Sequence, residues 1–373
     1  MTHHRIAIFA STSGHSGVDR AMQNLIPELC ARGFLVDQLK VRRHGPNLEF
    51  SHPNYRIIDL GTSHTYTAVF AIARYLKQYT PCVMLSDKDR VNRTALAARW
   101  LSGTKTNLVF SSGTTISIDL SHRGAVERGI QRWSMRNLYP KAQRVIVTCK
   151  GVADDMSDYT GLARDKIYVV ESPVIPDSLL TTSPAAPAHP WLQEKTTAVI
   201  LGVGELSDRK DFTTLIRAFA QLQCEPAPRL IILGKGKRKD ALLALCDELG
   251  VSERVDFPGH VPDPYAFMAH ANVFAFTSRW EGLGFVLIEA LAMGCPVVST
   301  DTPSGPSEIL QDGKYGPLVP VGDVDALTKE LQKVIVNPPE KSWLQQAAQP
   351  YTVSAAADAY LRALGLPREN KES

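Results

Sequence analysis

The chain has 373 residues, 44% of them hydrophobic and 21% charged, with a formal net charge of +3. Those values exclude a disordered chain, exceed what one ordinary core needs, and make no case for a nucleic-acid partner. No apolar run reaches the ~20 residues of a membrane helix, the apolar part of the N-terminus is too short for a signal peptide, and Cys30, Cys82, Cys149, Cys224, Cys246 and Cys295 are scattered without a Cys-x-x-Cys pair, so a cytosolic protein with reduced thiols is expected.

Along the chain, short β-branched runs alternate with helical segments. Strands are expected at 5–10, 34–41, 56–60, 82–86, 107–111, 144–148 and 166–170, and helices at about 18–32, 66–79 and 93–101. Residues 173–190 then carry five prolines among Ser, Thr and Ala, a texture no helix survives and the best candidate for an interdomain linker. The alternation restarts with strands at 197–201, 229–233, 254–257, 272–276, 296–299 and 316–319. Helices intervene at about 212–222, 238–249, 264–270, 285–293 and 325–336, and a last helix is expected at 352–364 ahead of a polar tail. Strands alternating with helices of this length mean βαβ units and parallel sheets. The expected fold is therefore α/β, with two Rossmann-like doubly wound domains: 1–176, a linker over 177–192, 193–350, and a C-terminal helix and tail over 351–373. Two such domains facing a central cleft would bind ligands at the loops that follow the strands.

Four of those loops carry candidate chemistry. The first, 11–17, holds Gly14 and Gly17 before a helix, which suits either close approach of backbone to an anion or a plain turn. The second follows strand 197–201 and runs through Gly202 and Gly204 to an adjacent Arg209–Lys210 pair at a helix start. Gly-x-Gly there lacks the third glycine of a dinucleotide site, and what remains is a fork and a point charge suited to a pyrophosphate. The third, from Gly234 to Arg238, repeats small residues followed by positive charge; a basic surface turn is the equal alternative. The fourth is the most specific: Thr277-Ser278-Arg279-Trp280-Glu281-Gly282-Leu283-Gly284-Phe285-Val286-Leu287-Ile288-Glu289. Its two glycines make a tight turn whose amides and helix start can receive phosphate oxygens. Its two glutamates suit the hydroxyl pairs of a sugar and a ribose, since a carboxylate accepts two hydrogen bonds at once.

At these residues the sequence resembles the retaining glycosyltransferases of the GT-B fold known as family 4. The shared pattern is Glu-x7-Glu, here Glu281 to Glu289, followed by Ala-Leu-Ala-Met-Gly-Cys-Pro-Val-Val-Ser. The likeness is strongest over 197–319 and weakest over 42–140. It implies that Lys210 and Arg209 bind the donor pyrophosphate and that Glu281, with Lys210 and Arg209, forms the catalytic group. It implies also that Gly204, Gly234, Ser278, Gly282, Leu283, Gly284, Phe285 and Val286 line the donor site, that Glu289 holds the ribose, and that His260 and Val261 pack the nucleobase. It further implies no metal and no cofactor beyond a nucleotide-sugar co-substrate, UDP being the common base, with a glycan or lipid-linked acceptor. Retention implies attack by the acceptor hydroxyl from the leaving-group face, or, as the lesser variant, a covalent intermediate on Glu281. Two features depart from the family. Glu205 stands where many members carry Arg, and the stretch 111–117 has no histidine where members often place one near the acceptor. His15 and His122 are the nearest acceptor-side candidates, each with a surface or structural role as the ordinary alternative.

Between Arg123 and Arg136, Val126, Ile130 and Trp133 fall at helical spacing beside a stripe of Arg128, Arg132 and Arg136. The ordinary reading packs the apolar side on the sheet with the arginines in water. The other lays the helix on an anionic membrane surface near a lipid-linked acceptor, which would make the protein peripheral to the inner face of the plasma membrane. A sugar-nucleotide 2-epimerase, a non-catalytic sugar-nucleotide binding protein and an NAD(P) oxidoreductase are the rival functions; the missing third glycine argues against the last.

Overall fold

The computed structural model describes residues 4–10, 17–42, 45, 47–121, 123–194 and 196–369. The chain forms two compact units, one of Met1–Val174 with Val353–Ser373, the other of Ile175–Thr352.

In the first unit seven parallel strands lie in the order β3-β2-β1-β4-β5-β6-β7: β1 Arg5–Ala10, β2 Leu35–Lys40, β3 Tyr55–Asp59, β4 Val83–Asp87, β5 Asn107–Ser112, β6 Arg144–Val147 and β7 Ile167–Val169. β1 pairs with β2 from Arg5↔Leu35 and with β4 up to Ala10↔Asp87. Helices on both faces explain why Ile6, Ala7, Ile8 and Phe9 are all fully buried and why the strands read as continuous apolar runs. The helices are α1 Gly17–Ala31, α2 Val69–Tyr79, α3 Asp89–Ser102, α4 Ile116–Ser121, α5 Ala125–Leu138 and α6 Lys150–Thr160. Asp37, buried in β2, is satisfied by Arg5 at 2.8 Å, Arg56 at 2.8 Å and the Tyr75 hydroxyl at 2.7 Å. Burial pushes its carboxyl up, and hydrogen bonds from Arg56, Tyr75 and Arg5 bring it below the usual carboxylate range.

In the second unit six parallel strands lie in the order β10-β9-β8-β11-β12-β13: β8 Val199–Val203, β9 Arg229–Leu233, β10 Val255–Gly259, β11 Val273–Phe276, β12 Val297–Thr300 and β13 Leu318–Val319. Its helices are α7 Pro190–Glu194, α8 Phe212–Ala220, α9 Lys239–Glu248, α10 Tyr265–His270, α11 Phe285–Ala292, α12 Pro306–Ile309, α13 Val324–Val336 and α14 Lys341–Ala348. Leu215, Phe219, Leu230, Ile232, Leu327 and Leu331 belong to the core under the sheet. The final helix, α15 Val353–Leu364, belongs to the first unit: Asp358 and the Ser354 carbonyl hold Arg32, the residue after α1.

Strand order reverses between β1 and β4 in one sheet and between β8 and β11 in the other. Ligands bind outside the carboxyl ends of the strands at such switch points.

Two expectations need correction. The proline-rich stretch is not a free linker, since the chain passes between units at Val174–Ile175 and at Thr352–Val353. His189 bonds Asp256 at 2.9 Å and stacks edge-on against Phe267, while Leu192 is buried, so the stretch packs as part of the second unit. The ordinary reading of the 123–136 helix also fails. Val126, Ile130 and Trp133 are exposed, and α5 is buried instead through Ser134 and Met135.

Candidate active site

The site is built at the switch point of the second sheet, from the loops after β8 and β11. β8 turns at Gly204 toward Arg209 and Lys210, and Asp211 opens α8. Asp211 takes a left-handed backbone, φ 47°, which a short polar side chain tolerates. Its carboxylate caps the helix, accepting from the Thr214 hydroxyl at 2.9 Å and the Thr214 amide at 3.4 Å. Arg279 Nε donates to the same carboxylate at 3.0 Å, and the Arg279 amide donates to the Arg209 carbonyl at 2.8 Å. The Thr277 hydroxyl donates to the Lys210 carbonyl at 2.9 Å. These bonds tie two loops about seventy residues apart in sequence into one platform.

On that platform Glu281 receives Lys210 Nζ on Oε1 at 2.6 Å and Arg209 Nη1 on Oε2 at 2.7 Å. Ser278 Oγ donates to Oε1 at 2.9 Å. Lys210 and Glu281 are buried, whereas the Arg209 side chain is 35% exposed. Burial works against the Glu281 carboxylate; the charges of Lys210 and Arg209, with hydrogen bonds from Lys210 and Ser278, outweigh it and hold the group below its ordinary value. Two cations share one carboxylate, so the cluster keeps a net charge of +1, suited to an entering polyanion. Lys210 Nζ also lies 5.1 Å from the Phe276 ring centroid. Exposed Glu205, the family departure, adds its charge to the field around Lys210.

Two glycines are required by close approach. Gly234, at φ 144°, would place a Cβ 1.8 Å from the Gly204 carbonyl oxygen, so the loops after β8 and β9 meet backbone to backbone. Gly284, at φ 98°, precedes the first residue of α11, and a Cβ there would lie 3.1 Å from Phe276 Cζ. The amides of Phe285 and Val286 belong to the first turn of α11, where four N–H groups lack intrahelical partners. Both residues are half-buried, as is Gly282, while Leu283 and Ser278 are buried.

The remaining expected residues divide. His260 is exposed and Val261 half-buried, directly after β10. Glu289 sits in the second turn of α11, closed off from solvent, and is thus less open than Glu281 or Arg209. Gly17 is the first residue of α1. Gly14, His15 and His122 lie outside the described residues.

Three contributions escaped the sequence reading. Thr300, the last residue of β12, and Ser304, from the loop after it, donate to the carbonyls of Ser278 and Glu281, each at 2.6 Å, and so brace the turn from a third strand. The first-unit run Asp87-Lys88-Asp89 is an Asp-x-Asp spacing at the end of β4. Its carboxylates do not act together. Asp89 bonds Arg93, Ser134 and Tyr139, whereas Asp87 Oδ2 is buried without a hydrogen-bond partner.

Comparison with known proteins bears on both units. A glycosyl transferase 4-like domain matches residues 16–172, and a domain of the glycosyl transferases group 1 matches residues 189–350. The N-acetylgalactosamine-N,N'-diacetylbacillosaminyl-diphospho-undecaprenol 4-alpha-N-acetylgalactosaminyltransferase of Campylobacter jejuni is 31% identical over 341 residues, 89% of this chain and 90% of the relative. The lipopolysaccharide core biosynthesis glycosyltransferase LpsE of Rhizobium meliloti is 36% identical over 171 residues, 44% of this chain and 49% of the relative. Among solved structures, HepE of Anabaena in complex with UDP superposes with a TM-score of 0.79 at 19% identity, covering 97% of this chain and 99% of that one. The lipopolysaccharide outer core galactosyltransferase WaaB gives 0.74 at 19% identity, with the same coverage. The chain belongs to the GT-B glycosyltransferases, pairing a glycosyl transferase 4-like domain with a group 1 domain. Its relatives act in lipopolysaccharide and polysaccharide biosynthesis.

Proposed function

We propose that the chain is a retaining, metal-independent glycosyltransferase that moves a hexose or N-acetylhexosamine from a UDP-sugar to a hydroxyl of a lipid-linked glycan, at the cytoplasmic face of a bacterial plasma membrane. The observation that carries the donor half of this reading is the Arg209–Glu281–Lys210 cluster at the switch point of the second sheet. A diphosphate brings a second, more highly charged anion to the two cations that hold Glu281. As Lys210 and Arg209 turn to it, the Glu281 oxygens are released to accept hydrogen bonds from sugar hydroxyls. The amides of Gly284, Phe285 and Val286 add dipoles aimed at the same phosphates, Glu289 takes the ribose hydroxyls, and His260 and Val261 border the base.

In the reaction the acceptor oxygen bonds the anomeric carbon on the face from which the diphosphate leaves. The bond from that carbon to the phosphate oxygen breaks, and the acceptor proton passes to the departing phosphate. Glycoside and UDP result, with the configuration kept. Charge grows on the leaving diphosphate, where Lys210, Arg209 and the start of α11 stabilise it most. Uridine is supported by structural neighbours solved with UDP and with UDP-glucose. A polyprenyl-diphosphate-linked acceptor and a transferred N-acetylhexosamine are supported by the name of the Campylobacter relative.

A thermal-shift panel of nucleotide sugars tests the reading. A ligand at ~100 times its Kd adds about 2.7 kcal/mol to stability, so the matching UDP-sugar raises the melting temperature by several degrees. A panel in which no nucleotide sugar stabilises the protein would refute the donor site.

A further inference from the structure

The strongest charge asymmetry lies far along the chain from the Glu281 cluster, in the first unit. Residues 66–141 hold twelve Lys and Arg against four Asp and Glu, a net of +8 in a chain whose total is +3, so the remaining residues carry −5. The same stretch holds Tyr66, Phe70, Trp100, Leu101, Val126, Ile130 and Trp133, seven of the twelve large hydrophobic side chains exposed among the described residues. Scattered exposed apolar residues need no explanation; their concentration where the positive charge is concentrated does.

Topology gathers them on one layer. Right-handed crossovers from β3 to β4, β4 to β5 and β5 to β6 run in one direction across the sheet, so α2, α3 and α5 lie on the same side. α3 packs against both α2 and α5. Each helix turns a mixed face outward. On α2, Phe70, 73% exposed, lines up with Arg74 and Lys77 at i, i+4, i+7. On α3, Arg90 and Arg93 fall on one side with Trp100. On α5, Val126, Ile130 and Trp133 form the outermost ridge, 77%, 52% and 60% exposed, with Arg132 and Arg136 along one flank. No helix among the described residues is long and apolar enough to cross a membrane.

We propose that the α2–α3–α5 layer of the first unit is a docking surface for an anionic phospholipid bilayer, the arginines and lysines meeting headgroup phosphates while Phe70, Trp100, Ile130 and Trp133 enter the interfacial zone. Charge complementarity selects the occupant. Arg74, Lys77, Arg90, Arg132 and Arg136, all exposed on these helices, attract a negatively charged leaflet, each cation near it adding about 1 kcal/mol of attraction, a fivefold gain in binding. Nucleic acid would match the charge and could stack on the aromatic rings, but it offers no apolar medium to the exposed aliphatic Leu101, Val126 and Ile130, whereas the headgroup boundary takes aliphatic and aromatic tips together with their arginines. The surface does not rest on the donor reading: a chain that binds vesicles and no nucleotide would refute that reading and leave this one standing.

Co-sedimentation of the full chain with phosphatidylcholine vesicles, with and without phosphatidylglycerol, tests it. The protein should bind the anionic vesicles, release them as salt rises, and bind pure phosphatidylcholine at least about tenfold more weakly. Ile130→Ser with Trp133→Ser, and separately Arg74→Glu with Arg132→Glu, should each weaken binding about tenfold or more while the melting temperature and donor binding stay as in the wild type. The second pair spans α2 and α5, so its effect reports whether the two helices act as one surface. No binding, equal binding to neutral vesicles, or binding indifferent to both pairs overturns the proposal. So does self-association, or capture of a labelled oligonucleotide, that the same substitutions abolish while vesicle binding persists unchanged.

Discussion

Asp87 in the first unit and Glu281 in the second stand in corresponding places. Each is a buried carboxylate at or just beyond the carboxyl end of a central strand, β4 or β11, beside its sheet's switch point. Their surroundings are opposite. Glu281 is met by Lys210, Arg209 and Ser278, and burial is more than offset. Asp87 keeps one oxygen without a partner; burial pushes it up to about 6, and the Ser111 hydrogen bond and the Lys88 charge relieve only part of the penalty. The same topology thus holds a two-cation clamp on a carboxylate in one unit and a buried acid short of partners in the other. What distinguishes them is that Glu281 is met by two cations from the loop after β8, whereas Asp87 is relieved only by Ser111 and the charge of Lys88.

The largest expected effect comes from taking the clamp apart. Glu281→Ala leaves Lys210 buried with no counter-charge and should destabilise the protein by about 3–5 kcal/mol, besides abolishing transfer. Urea unfolding decides the matter, and a wild-type midpoint for Glu281→Ala would dissolve the contrast.

Next in size is Asp87→Asn. A carboxyl whose folded value is raised to about 6 binds its proton more tightly folded than unfolded. Its contribution is therefore intact below about pH 4 and is lost as pH climbs toward and past 6, costing about 3 kcal/mol at pH 8. Asp87→Asn should gain most of that at pH 8 and almost nothing at pH 4, read as the difference in melting temperature across the range. A flat difference would mean that burial of Asp87 carries no penalty.

Glu281 has the reverse sign. Its folded value is depressed, so its contribution is present above its unfolded value near pH 4 and lost as pH falls through the folded one. Glu281→Gln should lower stability at neutral pH, where the contribution is present, and flatten the acid limb of the profile, while Asp87→Asn should raise stability at neutral and higher pH and leave the acid limb unchanged. The smallest effect belongs to the outer layer: Ile130→Ser and Trp133→Ser should each change folding stability by no more than about 0.5 kcal/mol, because each residue is more than half exposed. A larger loss would show that the ridge has a partner inside the protein.

Much of the fold was legible because a parallel sheet buried on both faces writes itself as short apolar runs. Thirteen strands fall within two residues of where the sequence places them, β1 and β9 at the same bounds. Helices that begin beside helix breakers or carry many polar residues were not legible. α6 carries Gly151 and three aspartates, and α14 is an eight-residue segment following two prolines, so both escaped notice. α5 misled in another way: its period is regular, but the side that packs presents Ser134 and Met135 while the apolar ridge faces outward. Periodicity identifies a stripe without saying whether the protein covers it.

At the candidate site, the run from Thr277 to Glu289 was readable because its glycines and glutamates are contiguous. That Arg209 and Lys210 close directly on Glu281 was not, since the meeting depends on Asp211, Arg279 and Thr277 binding two loops together. Thr300 and Ser304 act through hydroxyls on backbone carbonyls, a role open to any small polar residue and marked by no pattern. Asp87 was passed over because its environment, not its spacing, sets it apart.

The central claim is that Lys210 and Arg209 hold the diphosphate while Glu281 holds the sugar. Calorimetric titration of UDP and of the matching UDP-sugar into wild type, Lys210→Met and Glu281→Gln tests it most directly. Lys210→Met should weaken both ligands by at least about tenfold, about 1.4 kcal/mol. Glu281→Gln should keep or improve UDP binding, since its carboxylate no longer competes for the cations, and should lose the added affinity that the sugar confers. Equal losses of UDP and UDP-sugar in Glu281→Gln, or wild-type affinities in Lys210→Met, would contradict the account.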